Sequence, residues 1–200
     1  MQTLKNHAPS CERNQSPILS VIAPYLDEQA HVLEVGSSSG QHALYFCKHT
    51  SVNLWQTSDT EQYVADLTFN LSQFSVPNLP KPLLVDVAKS STWPQQHYNR
   101  VFTANTLHIM SWPLAKQFFK LAEQVLAPSG MLFIYGPFNY GGEFTSKSNA
   151  EFEQWLKQRD PESGIRHFEE IVAQAQRCSL SLVEDIAMPA NNRMLIFTKR

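Results

Sequence analysis

Short apolar runs rich in β-branched residues alternate along the chain with stretches whose apolar positions recur every three or four residues. That pattern predicts strands joined by helices covering both faces of a sheet. Strands are read at HVLEV (31–35), VNLWQ (52–56), PLLVDV (82–87), RVFTAN (100–105), GMLFIYG (130–136), LSLVEDI (180–186) and RMLIFTK (193–199). Helices fall at about 41–49, 60–73, 112–126 and 165–177. A further helix precedes the sheet, with Ser16 as its cap and Pro17 at its first position. The link AMPANN between the last two strands is too short for a crossover helix, so those strands pair as an antiparallel hairpin.

With 200 residues, 42% hydrophobic, the chain suffices for one core. Residues 1–30 are read as an N-terminal segment and helix, and 31–200 as the single domain proper. A formal charge of −2 supplies no basic field for a polyanion, so nucleic acid is not expected as a partner. No apolar run approaches the roughly 20 residues that span a bilayer, and the first residues carry no apolar leader core. Cys11, Cys47 and Cys178 are far apart and form no C-x-x-C. A cytoplasmic protein without membrane attachment is the expectation. The seven histidines show no H-x-x-x-H ligand pair on a helix and no nearby cysteine cluster, so no metal is expected.

The most informative stretch is HVLEVGSSSG, His31 to Gly40. As G-x-S-x-G it would place Ser38 on a hydrolase nucleophile elbow, but such an elbow needs strands before it to build the oxyanion loop. Here one helix precedes it. As a strand followed by a turn flanked by Gly36 and Gly40, with Ser37 and Ser38 between, it is a cofactor loop: backbone N–H groups face a ligand and the missing Cβ atoms permit close approach. Asp59 lies 19 residues past Gly40, where a carboxylate accepts both ribose hydroxyls of a nucleoside. Glu34, just ahead of the glycines, would repel a pyrophosphate and suit a ligand carrying an ammonium and a sulfonium. Asp86 ends the next strand at the same rim, placed to read an adenine amino group.

Together VLEVGSSSGQHALYF, the Ser58-Asp59 pair, LLVDV and the closing hairpin resemble the class I S-adenosylmethionine-dependent methyltransferases. APSCERNQSPIL, ANTLHIMSW, YGPFNYGGEFTSKSNAEFEQWLKQRDPESGIR and MPANN are similar to an uncharacterised methyltransferase-like family. The resemblance implies a Rossmann-like, seven-stranded, mostly parallel sheet and S-adenosylmethionine as cofactor, but no substrate. Ser38 stands where most such enzymes have glycine.

His108 follows the fourth predicted strand and is the candidate base, with a loop-closing structural role as its alternative. Asn105, on the same rim, is grouped with the cofactor residues; it belongs to no N-P-P-Y-type sequence. Tyr135, Phe138, Asn139 and Tyr140 are candidates for an acceptor pocket, with an aromatic loop packed on a helix as the alternative, and Arg13 and Asn14 are candidates in a lid segment whose arginine grips a carboxylate. Arg166 and the Asn191-Asn192 pair are read as an ion-pair partner and hairpin-turn residues. The expected activity is methyl transfer to oxygen or nitrogen of a small acceptor. A non-catalytic S-adenosylmethionine-binding sensor is the alternative, and a nicotinamide-dependent reductase a more distant one.

Overall fold

The computed structural model describes residues 4–200. In chain order its elements are α1 (Pro9–Ile22), β1 (His31–Val35), α2 (Gln41–His49), β2 (Leu54–Asp59), α3 (Glu61–Ser72), β3 (Leu83–Leu84), β4 (Tyr98–Ala104), α4 (Trp112–Val125), β5 (Leu126–Gly136), β6 (Phe138–Asn139), α5 (Lys147–Arg159), β7 (Arg166–His167), α6 (Phe168–Arg177), β8 (Leu180–Met188) and β9 (Asn192–Lys199). Seven strands form one sheet in the order β3-β2-β1-β4-β5-β9-β8. The first five of these pair in parallel, while β9 runs antiparallel to both β5 and β8.

Alternation along each strand divides the core. From β1, Leu33 and Val35 join Phe118, Phe119 and Ala122 of α4 and Ile171 and Ala175 of α6. Val32 points the other way, to Phe46 of α2 and Ile18 and Ile22 of α1. The chain leaves β1 for β2 on one side and later enters β4 on the other, so the strand order reverses between β1 and β4. Loops at the carboxyl ends of such a reversal diverge and leave a crevice, which is where open α/β sheets bind ligands.

Three features depart from the sequence reading. First, α1 begins at Pro9, not after Ser16, and runs through Pro17 because Asn14, Ile18 and Ile22 are buried on one face. The Pro17 ring removes the N–H that would bond the Arg13 carbonyl. Second, the PLLVDV strand keeps ladder pairing only at Leu83–Leu84; beyond it, Asp86 N–H donates to Thr92 Oγ1 at 2.9 Å. Third, α5 and the short parallel pair β6 and β7 were not foreseen. Of these, α5 supplies one wall of the cleft described below.

Candidate active site

The loop from Gly36 to Gly40 is tied to the protein rather than left open. Gly36 and Ser37 N–H groups donate to Ser58 O at 3.1 and 3.0 Å, and Gly40 N–H donates to Ser37 O at 2.8 Å. Ser38 N–H donates to Asp59 Oδ2 at 2.7 Å. Four of the loop's amides are thus spent, which corrects the expectation that they face a ligand. The glycines answer to the fold as well. Their φ angles are +78° and +80°, and a Cβ would sit 2.7 Å from Thr106 Cγ2 at Gly36 and 2.8 Å from Leu71 Cδ2 at Gly40. Ser38 also has positive φ, 49°, a conformation that glycine adopts without Cβ strain.

Asp59 is buried at the end of β2, where its second oxygen accepts Thr60 N–H at 2.8 Å. Burial raises its pKa, against the two backbone donors that lower it. Thr60 Oγ1 also approaches the same oxygen at 3.5 Å. A carboxylate has about four lone-pair positions, so two short bonds and one long one leave acceptor capacity for a hydroxyl donor. Glu34 lies beneath the loop, fully buried, and Trp55 Nε1–H donates to it at 2.9 Å. Burial pushes its carboxyl up to about 7 despite that donor. Asp86 is partly exposed; one oxygen accepts Ala88 N–H at 2.9 Å and the other lies 3.5 Å from Lys89 Nζ.

Next to the loop lies a cleft of about 970 Å³. Arg13 and Asn14 of α1, Asn105 and His108 after β4, Tyr135 of β5, Asn192 of β9 and one face of α5 line it. Asn105 has φ 59° and donates its N–H to Tyr135 O at 2.8 Å, which turns the chain sharply at the end of β4. A Cβ at Gly136 would stand 3.8 Å from His108 Nδ1 and 3.9 Å from Asn105 Oδ1, so both polar atoms converge beside that glycine. Asn14 Oδ1 lies 2.7 Å from His42 Nε2. Asn14 and Asn192 line the cleft with Tyr135 and oppose the rise in its pKa that burial causes.

His108 is buried, and its ring meets Phe152 edge-on at 5.2 Å. Burial first, and the positive Arg166 second, lower its pKa to about 4. The imidazole is therefore neutral at neutral pH. Its loop is strapped from outside: Gly164 N–H donates to His108 O at 2.8 Å, Ser163 Oγ to Ile109 O at 2.8 Å, and Arg166 to the carbonyls of Leu107 and Met110. Arg166 acts here by binding carbonyl oxygens, not in the ion pair read from sequence.

A family model described as "Protein of unknown function (DUF938)" matches residues 5–199. The chain belongs to this family. Among solved structures, this DUF938 member is similar to an O-methyltransferase family protein from Burkholderia thailandensis, with TM-score 0.81 and 12% identity over 95% of this chain and 57% of that one. It is similar also to the mitomycin 7-O-methyltransferase MmcR, with TM-score 0.82 and 11% identity over 96% and 54%. A third is PigF with SAH, with TM-score 0.78 and 13% identity over 94% and 56%. The likeness is one of fold: the seven-stranded, mostly parallel Rossmann-like sheet of methyltransferases, closed by an antiparallel pair. The chain spans somewhat more than half the length of these structures.

Of the residues singled out by sequence in this DUF938 chain, Arg13, Asn14, Asn105, His108 and Tyr135 share the cleft. Glu34, Gly36, Ser37, Ser38, Gly40, Asp59 and Asp86 lie outside its lining, on and beneath the neighbouring strand ends, so Asn105 is the one residue of the sequence-assigned cofactor set that the cleft includes. Phe138, Asn139 and Tyr140 do not line it, which corrects their assignment to an acceptor pocket. Phe138 packs in the core, and Asn139 pairs with His167 in the small β6–β7 sheet. Sequence reasoning missed Phe152, Trp155 and Arg159 of α5 and set Asn192 aside as a turn residue. The spacing 148, 149, 152, 155, 156, 159 is one helical face, and that periodicity was the available signal.

Proposed function

We propose that the protein is an S-adenosylmethionine-dependent methyltransferase acting on oxygen or nitrogen of a small-molecule acceptor. The observation that carries this reading is the opening between β1 and β4: the loop bonded to Asp59 packs at Gly36 against Thr106, the residue after Asn105, and Asn105 lines a cleft that also holds a buried histidine. The residues fit the cofactor's nucleoside end: Asp59 keeps acceptor capacity, and the spent loop amides leave no cradle for a pyrophosphate. That second feature disfavours a nicotinamide dinucleotide.

In this reading Asp59 would accept the ribose hydroxyls and Asp86 would face the adenine, while Glu34 would offset positive charge from below the loop. Bound S-adenosylmethionine supplies a methyl group already activated by a sulfonium. The cleft's contribution is to align the acceptor and exclude water, effects worth on the order of 7 to 11 kcal/mol at best. Directed at that methyl carbon, the acceptor's oxygen or nitrogen would take the methyl group, and the cofactor would leave as the neutral thioether with the electron pair of the broken carbon–sulfur bond. The acceptor's proton, made strongly acidic as the new bond forms, passes to the free nitrogen of His108. A weak base suffices for such a proton.

Calorimetry with S-adenosylhomocysteine tests the reading. Binding is expected for the wild type, with no comparable heat from NAD. Asp59→Asn loses one charge-assisted acceptor, so affinity is expected to fall by about 1.5 to 3 kcal/mol, roughly 10- to 150-fold. Because Asp59 also holds Ser38 and Thr60, the same variant is expected to lose about 1 to 2 kcal/mol of stability. Unchanged affinity, or tighter binding of NAD, would refute the assignment.

A further inference from the structure

The cleft wall supplied by α5 carries a graded series of side chains. Deepest is Phe152, edge-on to His108. The Phe152 and Trp155 rings stack at 5.7 Å with only 18° between their planes. The Arg159 guanidinium then lies 4.6 Å over the Trp155 ring. All three residues line the cleft, as do Ile109 and Tyr63, and Ile109, Tyr63 and Trp155 are exposed apolar surface at its mouth. Exposed aromatic surface beside a cleft is costly to keep in water and is a usual mark of a binding site.

Charge in the same cleft points in one direction. Arg13 on α1 and Arg159 on α5 both line it, and neither belongs to an ion pair among the described residues. Among the described residues Asp160 is the one carboxylate in the lining, and its Oδ1 accepts Glu162 N–H at 2.9 Å. An arginine stacked on an aromatic face retains its N–H donors, whose planar fork matches a carboxylate.

We infer that the acceptor is an anionic aromatic compound, its ring lying along Phe152 and Trp155, its carboxylate or equivalent anion held by Arg159 and Arg13, and its nucleophilic group directed toward His108. This inference rests on the methyltransferase reading for the word acceptor alone; the anion-and-ring subsite stands on the cleft. It also gives the unforeseen helix α5 a function: it selects the ligand, while the sheet edge holds the cofactor.

Matched probes test it: 4-hydroxycinnamate, its uncharged amide, and an aliphatic hydroxy acid of similar length, each titrated by calorimetry into the full chain with and without S-adenosylhomocysteine. The aromatic acid is expected to bind at least tenfold more tightly than the amide and than the aliphatic acid. Arg159→Gln is expected to abolish the preference for acid over amide while leaving S-adenosylhomocysteine affinity unchanged, and Arg159→Lys to retain part of it. A thermal melt within a degree or so of wild type would show that each variant folds. Equal binding of acid and amide, failure of all three probes to bind, or an acid preference that survives Arg159→Gln would overturn the inference. The methyltransferase reading fails separately, when S-adenosylhomocysteine does not bind; acid preference persisting in that case supports the subsite alone.

Discussion

The imidazole of His108 is shut off from water by Phe152 and held near the guanidinium of Arg166, and both circumstances disfavour its protonated form. With its pKa lowered to about 4, the ring is expected to stay neutral from pH 8 down to about 5. Histidine ring-proton NMR across that range, assigned with His108→Gln, checks this: a midpoint near 6.5 would show an ordinary exposed histidine. Glu34 behaves in the opposite sense. Its folded pKa of about 7 lies above the ordinary 4.5, so the folded state holds a proton that the unfolded chain releases. Stability from this group is complete below pH 4.5 and is lost as pH rises to about 7, amounting to about 3 kcal/mol in all. Glu34→Gln should therefore be more stable than wild type at pH 8, with the difference shrinking toward pH 5; denaturant titrations at both pH values measure it. A difference independent of pH would contradict an ionisable group buried at this position. At this scale the sequence revealed residue types better than their partners. The sequence reads Gly36 and Gly40 as making room for a ligand, and the atoms that a Cβ there would meet are those of Thr106 and Leu71, which lie far away in the chain.

Among the elements, the segment that packs over the crevice does the least for the core and the most for the site. Helix α5 buries only Asn149 and Leu156, so its apolar stripe is thin and its sequence reads as polar. That is why it was missed: the face with helical spacing mixes polar with apolar residues because it borders a cleft and not the core, so the signal was there but weak. Helix α1 was placed too late in the chain because Pro17 looks like a first-turn proline, whereas burial of Asn14 and Ile18 on either side outweighs the lost hydrogen bond. Between α5 and β7, Arg166 reaches back to the carbonyls of Leu107 and Met110. Arg166→Gln removes those bonds and is expected to cost about 1 to 3 kcal/mol in stability. It should also speed amide exchange across residues 106–110 and leave S-adenosylhomocysteine affinity within about threefold. Exchange unchanged in that loop would mean that Arg166 does not hold His108 in place.

For the whole molecule, the parallel sheet, the closing antiparallel pair and four of the helices were legible because each is built on local periodicity and ends at a turn. Strand order was not, since it depends on which face each crossover takes. It is the order that matters for function: the reversal between β1 and β4 opens the crevice where the Gly36–Gly40 loop, Asp59 and Asn105 come together. The central claim is transfer of a methyl group, and binding alone does not establish it. The most direct measurement is incubation of the purified protein with methyl-labelled S-adenosylmethionine and a deproteinised small-molecule extract enriched in aromatic acids, followed by chromatography of the label. Label is expected in a discrete aromatic product, formed by wild type and at least tenfold more slowly by His108→Gln. A protein that binds S-adenosylmethionine yet moves no label into any small molecule would contradict the claim and leave a cofactor-binding module in its place.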